Sequence, residues 1–285
     1  MKKIIVTTHI KDNKNLYEVA HIENVPPNFL ISAMLGLIIG FINGFWGGGG
    51  GMFCVPTLSN IVGLPEKRAH ATAILIMLPL SIVSFVIYII MGAFDGMTTL
   101  KVTIGFVVGS AIGALILNNI KNIVLNIIFA VVIIASGIKS LIWWGKIMDW
   151  LWFIIAGLTS GVIAGMGMGG GTLLIPILTI FLSVEQRIAQ GINLLAFIPA
   201  AIVAIIIHAK NKLISFKVGI PFIIGGVILA IVGALIALRL PNDILKRIFG
   251  VFLLIVGIWQ IVFTICNSKD KSKVVFSKIS LNKYN

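Results

Sequence analysis

Apolar residues run through this chain in long blocks rather than in alternation. Residues 29–65 contain no Asp, Glu, Lys or Arg. A helix crossing about 30 Å of hydrocarbon needs roughly 20 apolar residues, so this block is too long for one span and only just long enough for two. Gly47 to Gly51 interrupt it and Pro56 follows. Each glycine inside a helix costs about 1 kcal/mol relative to alanine. The block therefore predicts a helix, a break and a short second helix. Further blocks predict spans over 70–94, 102–120 and 123–144, the last with Trp143 and Trp144 as interfacial anchors. A second long uncharged block covers 150–184, again broken by glycines and followed by Pro176, and spans follow over 188–207, 218–238 and 248–266. The predicted fold class is an all-α polytopic membrane protein.

The blocks repeat. At an offset of 120 positions, Gly47, Gly49, Gly50 and Gly51 meet Gly167, Gly169, Gly170 and Gly171, while Pro56 meets Pro176 and Pro79 meets Pro199. Apolar matches alone arise by chance in such a chain, but glycines and prolines at one fixed offset do not. This predicts two internal repeats, each of about four full spans plus a short helix after the Gly-rich break, or 8–10 membrane segments. The expected organisation is a cytosolic N-terminal extension over 1–28, a first transmembrane repeat over 29–144, a second over 150–266, and a basic cytosolic tail over 267–285. Two orientations fit. Re-entrant breaks give parallel copies, and crossing short helices give inverted ones. Counting Lys and Arg on each side favours cytosolic termini equally in both. Inverted copies are preferred only by analogy with secondary transporters.

Composition agrees with this picture. The 285 residues are 59% hydrophobic and 11% charged, against about 25% charged in soluble domains. The net charge of +13 sits in loops and tails between apolar runs, so no nucleic-acid partner is expected; the bilayer is. The first 28 residues are polar, which argues against a signal peptide. Cys54 and Cys266 are too few for a disulfide framework or a metal site, and Cys54 reads as an apolar filler.

Irregular backbone at membrane depth is tolerated only inside protein or beside a cavity, so two symmetric breaks point to one central site. Gly49, Gly50, Gly51, Gly169, Gly170 and Gly171 are the candidate cradle. Each cluster precedes a short helix, whose N-terminus offers unpaired N–H groups and partial positive charge suited to an oxyanion. Asn43, Thr72, Gln190 and Asn193 are candidate donors beside it, with interhelical hydrogen bonding as the plainer reading. For Gly36, Gly40, Gly105, Gly109 and Gly113, close helix packing is the better reading. His70 and His208 border spans and read as interfacial, His70 with Lys67 and Arg68 as an alternative anion funnel. Glu66, Asp95, Asp149, Glu185 and Asp243 are read as loop residues, which leaves no obvious proton carrier in a span. No nucleophile–base pair, metal-ligand spacing or nucleotide loop is present, so no enzyme activity, metal or cofactor is expected.

The run Gly44-Phe45-Trp46-Gly47-Gly48-Gly49-Gly50-Gly51 with Pro56 resembles the opening signature of the TauE/SafE sulfite exporter family. Gly165-Met166-Gly167-Met168-Gly169-Gly170-Gly171 with Pro176 is similar to its second copy, and Arg187 to Asn193 and Leu240 to Phe249 also resemble it. The resemblance covers roughly residues 30–263. It implies an inner-membrane permease for a small sulfur-containing or organic anion such as sulfite or sulfoacetate. The family often carries a hydroxyl residue near the position of Asn193, so the asparagine bears on which solute is carried. Transport of another solute or a cation, and a role as a non-transporting partner subunit, are the alternatives. Self-association is left open.

Overall fold

The computed structural model describes residues 28–48, 50–117 and 149–253. The expected N-terminal extension, the span over 123–144 with its tryptophans, the later part of the last span, the basic tail and Gly49 lie outside the described residues. The described residues from 240 onward belong to a separate unit, in which 242–253 are helical and the Phe249 and Phe252 rings stack with centroids 6.0 Å apart.

Among its described residues, the regular secondary structure of the first unit is all helix. Its elements are α1 (Phe29–Trp46), α2 (Gly51–Pro56), α3 (Glu66–Ile90), α4 (Gly96–Ile116), α5 (Asp149–Gly165), α6 (Gly171–Pro176), α7 (Gln186–Lys210) and α8 (Phe216–Arg239). Helices α1, α3, α4, α7 and α8 are long and apolar enough to cross a bilayer. The expected breaks and short helices are present at both places, and the protein is a multi-pass membrane protein.

Two boundaries differ from the hydropathy blocks. Helix α3 begins at Glu66 and α5 at Asp149, and Asp243 is also helical, so these residues are not in loops. A carboxylate such as that of Glu66 in a first turn complements the positive helix end, and a search for apolar runs discards such a turn. The short helices are also not simple. After α2, Thr57–Ile61 winds as a π-helix, and Ile177–Phe181 does the same after α6. Pro56 and Pro176 have no N–H to give the preceding turn. The turns that follow close with i→i+5 bonds, Val62 N–H to Thr57 O at 3.1 Å and Leu182 N–H to Ile177 O at 3.2 Å.

Two closely packed helix pairs frame the unit. An added Cβ on Gly36, Gly40 or Gly44 of α1 would overlap the carbonyl oxygens of Phe222, Gly226 or Ala230 of α8. Numbers rise together along both helices, so α1 and α8 run parallel. The same holds for Gly105, Gly109 and Gly113 of α4 against Ile154, Leu158 and Val162 of α5. The packing reading of these glycines is therefore correct: without side chains, the backbones meet directly. The opposite faces of α4 and α8 expose Leu100, Ile104, Val108 and Ile112, and Ile220, Ile224, Ile228 and Val232. Each residue matches its partner at the offset of 120, and the two apolar stripes suit a lipid surface.

Helices α3 and α7 cross between these pairs in opposite directions. Tyr88 near the end of α3 bonds Gln190 near the start of α7 at 2.9 Å, while His70 near the start of α3 lies by His208 near the end of α7. The offset of 120 carries Tyr88 onto His208 and His70 onto Gln190, so it exchanges the two contacts. It likewise exchanges the α1–α8 pair with the α4–α5 pair. Only a two-fold axis perpendicular to α3 and α7 does this. The described repeats are therefore inverted, an orientation that charge counting cannot choose.

Candidate functional site

Each break begins with a helix that ends on a left-handed glycine. Gly47 has φ 65° and Gly167 has φ 82°, a region open to glycine at little cost. The N–H of Gly48 closes back onto Asn43 O at 2.9 Å, and that of Met168 onto Ile163 O at 3.3 Å, the six-to-one bond of a Schellman ending. The chain then turns and enters the short helix.

The two breaks meet. An added Cβ on Gly51 would lie 2.7 Å from Gly169 N, and one on Gly169 would lie 3.3 Å from Gly51 N and Cα. The start of α2 thus abuts the loop that leads into α6. Gly51, Gly167 and Gly169, with Ile74, Met77, Ala164 and Phe197, surround a crevice too narrow for a water molecule. Met77 and Phe197 are equivalent at the offset of 120, so one bulky side chain from each repeat closes it.

Asn193 joins the breaks. Its amide N–H donates to Gly47 O of the first break, while the same side chain stands against Gly171 of the second. It is 1% exposed, and its Oδ1 has no partner among the described residues. Ala73 occupies the equivalent place in the first copy, so this link exists once. Gln190 donates to Phe45 O at 3.4 Å and accepts from the Tyr88 hydroxyl, which also approaches Gly44 O at 3.4 Å. Asn43 lies behind the first break, with its amide nitrogen 3.5 Å from Ser81 Oγ and its buried Oδ1 without a partner among the described residues.

Not every candidate gathers here. Thr72 is buried, but its hydroxyl accepts from Ser215 N–H at 3.1 Å. It holds the turn before α8 rather than a break. Gly50 packs within its own repeat, against Met77 and Asn43, whereas Gly170 packs against Ala164 of its own repeat and Phe106 of the other; both are packing positions. Gly51, Gly169, Gly171, Gln190 and Asn193 come together, with Asn43 behind them. Cys54 and its counterpart Leu174 are both fully buried, as expected of apolar fillers.

Sequence reasoning missed Tyr88 and misplaced both histidines. His208 is fully buried, not interfacial, with Nε2 3.0 Å from Gly165 O. His70 is half-buried, and its ring interacts with the Met166 backbone carbonyl. The signal was available: His70 and His208 stand at the offset of 120 from Gln190 and Tyr88, and each pair braces the carbonyls at the end of one broken helix.

The family model for the sulfite exporter TauE/SafE matches residues 6–140 and 153–280. The chain belongs to that family. Among known proteins, a "Probable membrane transporter protein" of Xylella fastidiosa is 31% identical over 110 residues, 38% of this chain and 41% of that one. A "Probable membrane transporter protein YunE" of Bacillus subtilis is 24% identical over 119 residues, 39% of this chain and 44% of that one. In both cases the chain spans less than half of the relative's length. No solved structure matches the chain.

Proposed function

We propose that the protein carries a small anion, of the sulfur oxyanion or sulfonate class, across a cell's inner membrane, with both termini cytoplasmic. The observation that carries this reading is the junction itself, where two inverted repeats bring their broken helices into backbone contact under Asn193. Sites of alternating-access carriers lie at such repeat interfaces. Membership of the TauE/SafE family and the names of the relatives support transport as the activity.

The hydrogen bonding favours an anion over a cation. The carbonyls of Gly44, Phe45, Gly47 and Gly165 already accept from side chains, so the broken ends of α1 and α5 have little left for a metal ion. At the starts of α2 and α6 the N–H groups of Phe53, Cys54, Thr172, Leu173 and Leu174 bond the Gly50, Gly169 and Gly170 carbonyls, which leaves those of Gly51, Met52 and Gly171 for a ligand. Together with the helix dipoles these suit an oxyanion without a lysine or arginine. With Met77 and Phe197 closing the crevice, the described state is occluded, and access requires the repeats to move against each other.

Purified protein in liposomes is the test. Saturable flux of sulfite or sulfoacetate is expected, and Asn193→Leu should lower it about tenfold at unchanged protein level, the worth of roughly one buried hydrogen bond. Absence of flux for every sulfur oxyanion offered would overturn the reading. A non-transporting subunit predicts that Asn193→Leu alters only protein level. Bulky residues at Gly50 or Gly170 cannot make this distinction, because both glycines are tightly packed and a side chain there would disturb folding as well.

A further inference from the structure

The two breaks are braced by different chemistry. Tyr88 and Gln190 brace the first, and neither changes charge near neutral pH. His208 and His70 brace the second. Bracing alone does not require histidine, since the first copy achieves it with a phenol and an amide.

A carbonyl oxygen only accepts, so His208 Nε2 facing Gly165 O carries the hydrogen and its Nδ1 is bare. The His70 ring likewise interacts with a backbone carbonyl, that of Met166. Both Nδ1 atoms are buried and have no hydrogen-bond partner among the described residues. The molecule thus holds two histidines beside the second break, His208 fully buried and His70 half-buried, each with a buried Nδ1. Among the described residues, the charged or titratable groups acting on His70 are Glu66, one turn earlier on α3, and His208 on α7, while the backbone contributes the Met166 carbonyl to His70 and the Gly165 carbonyl to His208.

We infer that His70 and His208 form a proton-binding site whose occupancy is linked to anion binding at the junction, which makes transport proton-coupled. The inference rests on the anion-carrier reading. One proton added to an Nδ1 yields an imidazolium, which is costly when buried unless a counter-charge is near. An anion in the junction supplies that charge, and the imidazolium in turn favours the anion. By linkage each raises the affinity for the other by the same factor.

Sulfoacetate is the probe, because its carboxylate and sulfonate stay ionised between about pH 5.5 and 8, where histidine ordinarily titrates. In liposomes held at zero potential, a gradient of about one pH unit should drive sulfoacetate accumulation toward roughly tenfold for one coupled proton. Wild-type flux that ignores the gradient overturns the inference and leaves the carrier reading intact. Absence of any flux fails the carrier reading first. A second measurement stands apart from flux: nitrogen NMR of histidine-labelled purified protein, assigned with His70→Gln and His208→Tyr. Signals of His70 and His208 that stay neutral across the interval, with and without sulfoacetate, overturn the inference whatever is carried. Proton uptake that moves to higher pH on adding sulfoacetate supports it. The double variant copies the first break into the second, and it should lose the response to the gradient; a retained response counts against the pair.

Discussion

Asn193 and Ala73 occupy equivalent places, yet only the asparagine reaches the opposite repeat. Such single differences break the symmetry of the junction. The backbone shows the reverse case, in which the copies keep a conformation with different residues. Gly63 and Gly92 have φ of 81° and 71°, while their counterparts Ser183 and Lys212 both hold 55°. A residue with a Cβ pays about 1–2 kcal/mol in that region, part of which glycine returns through its unfolded-state entropy. Ser183→Gly and Lys212→Gly should each stabilise the protein by about 0.5–1 kcal/mol, read as a rise of roughly 2 °C in melting temperature. A fall in melting temperature at both positions would show that their side chains hold contacts worth more than the backbone strain.

At the scale of elements, the glycine ladders decide which helices pair. The carbonyls of α8 lie where side chains of α1 would be, so α1 cannot shift without losing contact along its length. Gly40→Leu should separate the pair at a cost of at least about 2 kcal/mol, because a backbone carbonyl cannot move aside as a side chain can. Lower yield of monodisperse protein in detergent is the measurable result, and an unchanged melting temperature would contradict the parallel α1–α8 contact. The π-helical turns after Pro56 and Pro176 belong to this scale as well. Pro56→Ala restores the missing donor and should let the α-helix continue, changing the length and aim of the short helix. Flux should fall while the protein still folds, as seen by its elution and melting profile.

At the scale of the whole molecule, the inverted relation makes a topological prediction. Residues 91–95 follow α3 and residues 211–215 follow α7, and these helices are antiparallel, so the two turns lie on opposite sides of the membrane. Gly92 and Lys212 are both exposed. With Cys54 and Cys266 replaced by alanine, Gly92→Cys should react with an impermeant maleimide outside intact cells. Lys212→Cys should react only after permeabilisation. Labelling of both from one side would establish parallel repeats instead.

The apolar helices among the described residues, the duplication, the two breaks and the short helices were legible in the sequence, because length and charge content govern membrane insertion and because glycine and proline act on the backbone locally. Orientation was not legible, since the basic residues redistribute equally between the two arrangements. The site was legible in part. Gln190 and Asn193 sit beside the breaks, and so does Thr72 by chain position, yet Thr72 serves Ser215. A residue's distance along the helix gives its depth but not the neighbour across from it. His70 and His208 looked interfacial for the same reason: each lies near the end of an apolar block, and only the antiparallel crossing of α3 and α7 turns those ends inward onto the second break. The sequence by itself determined what could be helical and where the helices break. The tertiary structure decided which breaks meet and which side chains brace them, because these depend on contacts between residues more than a hundred positions apart.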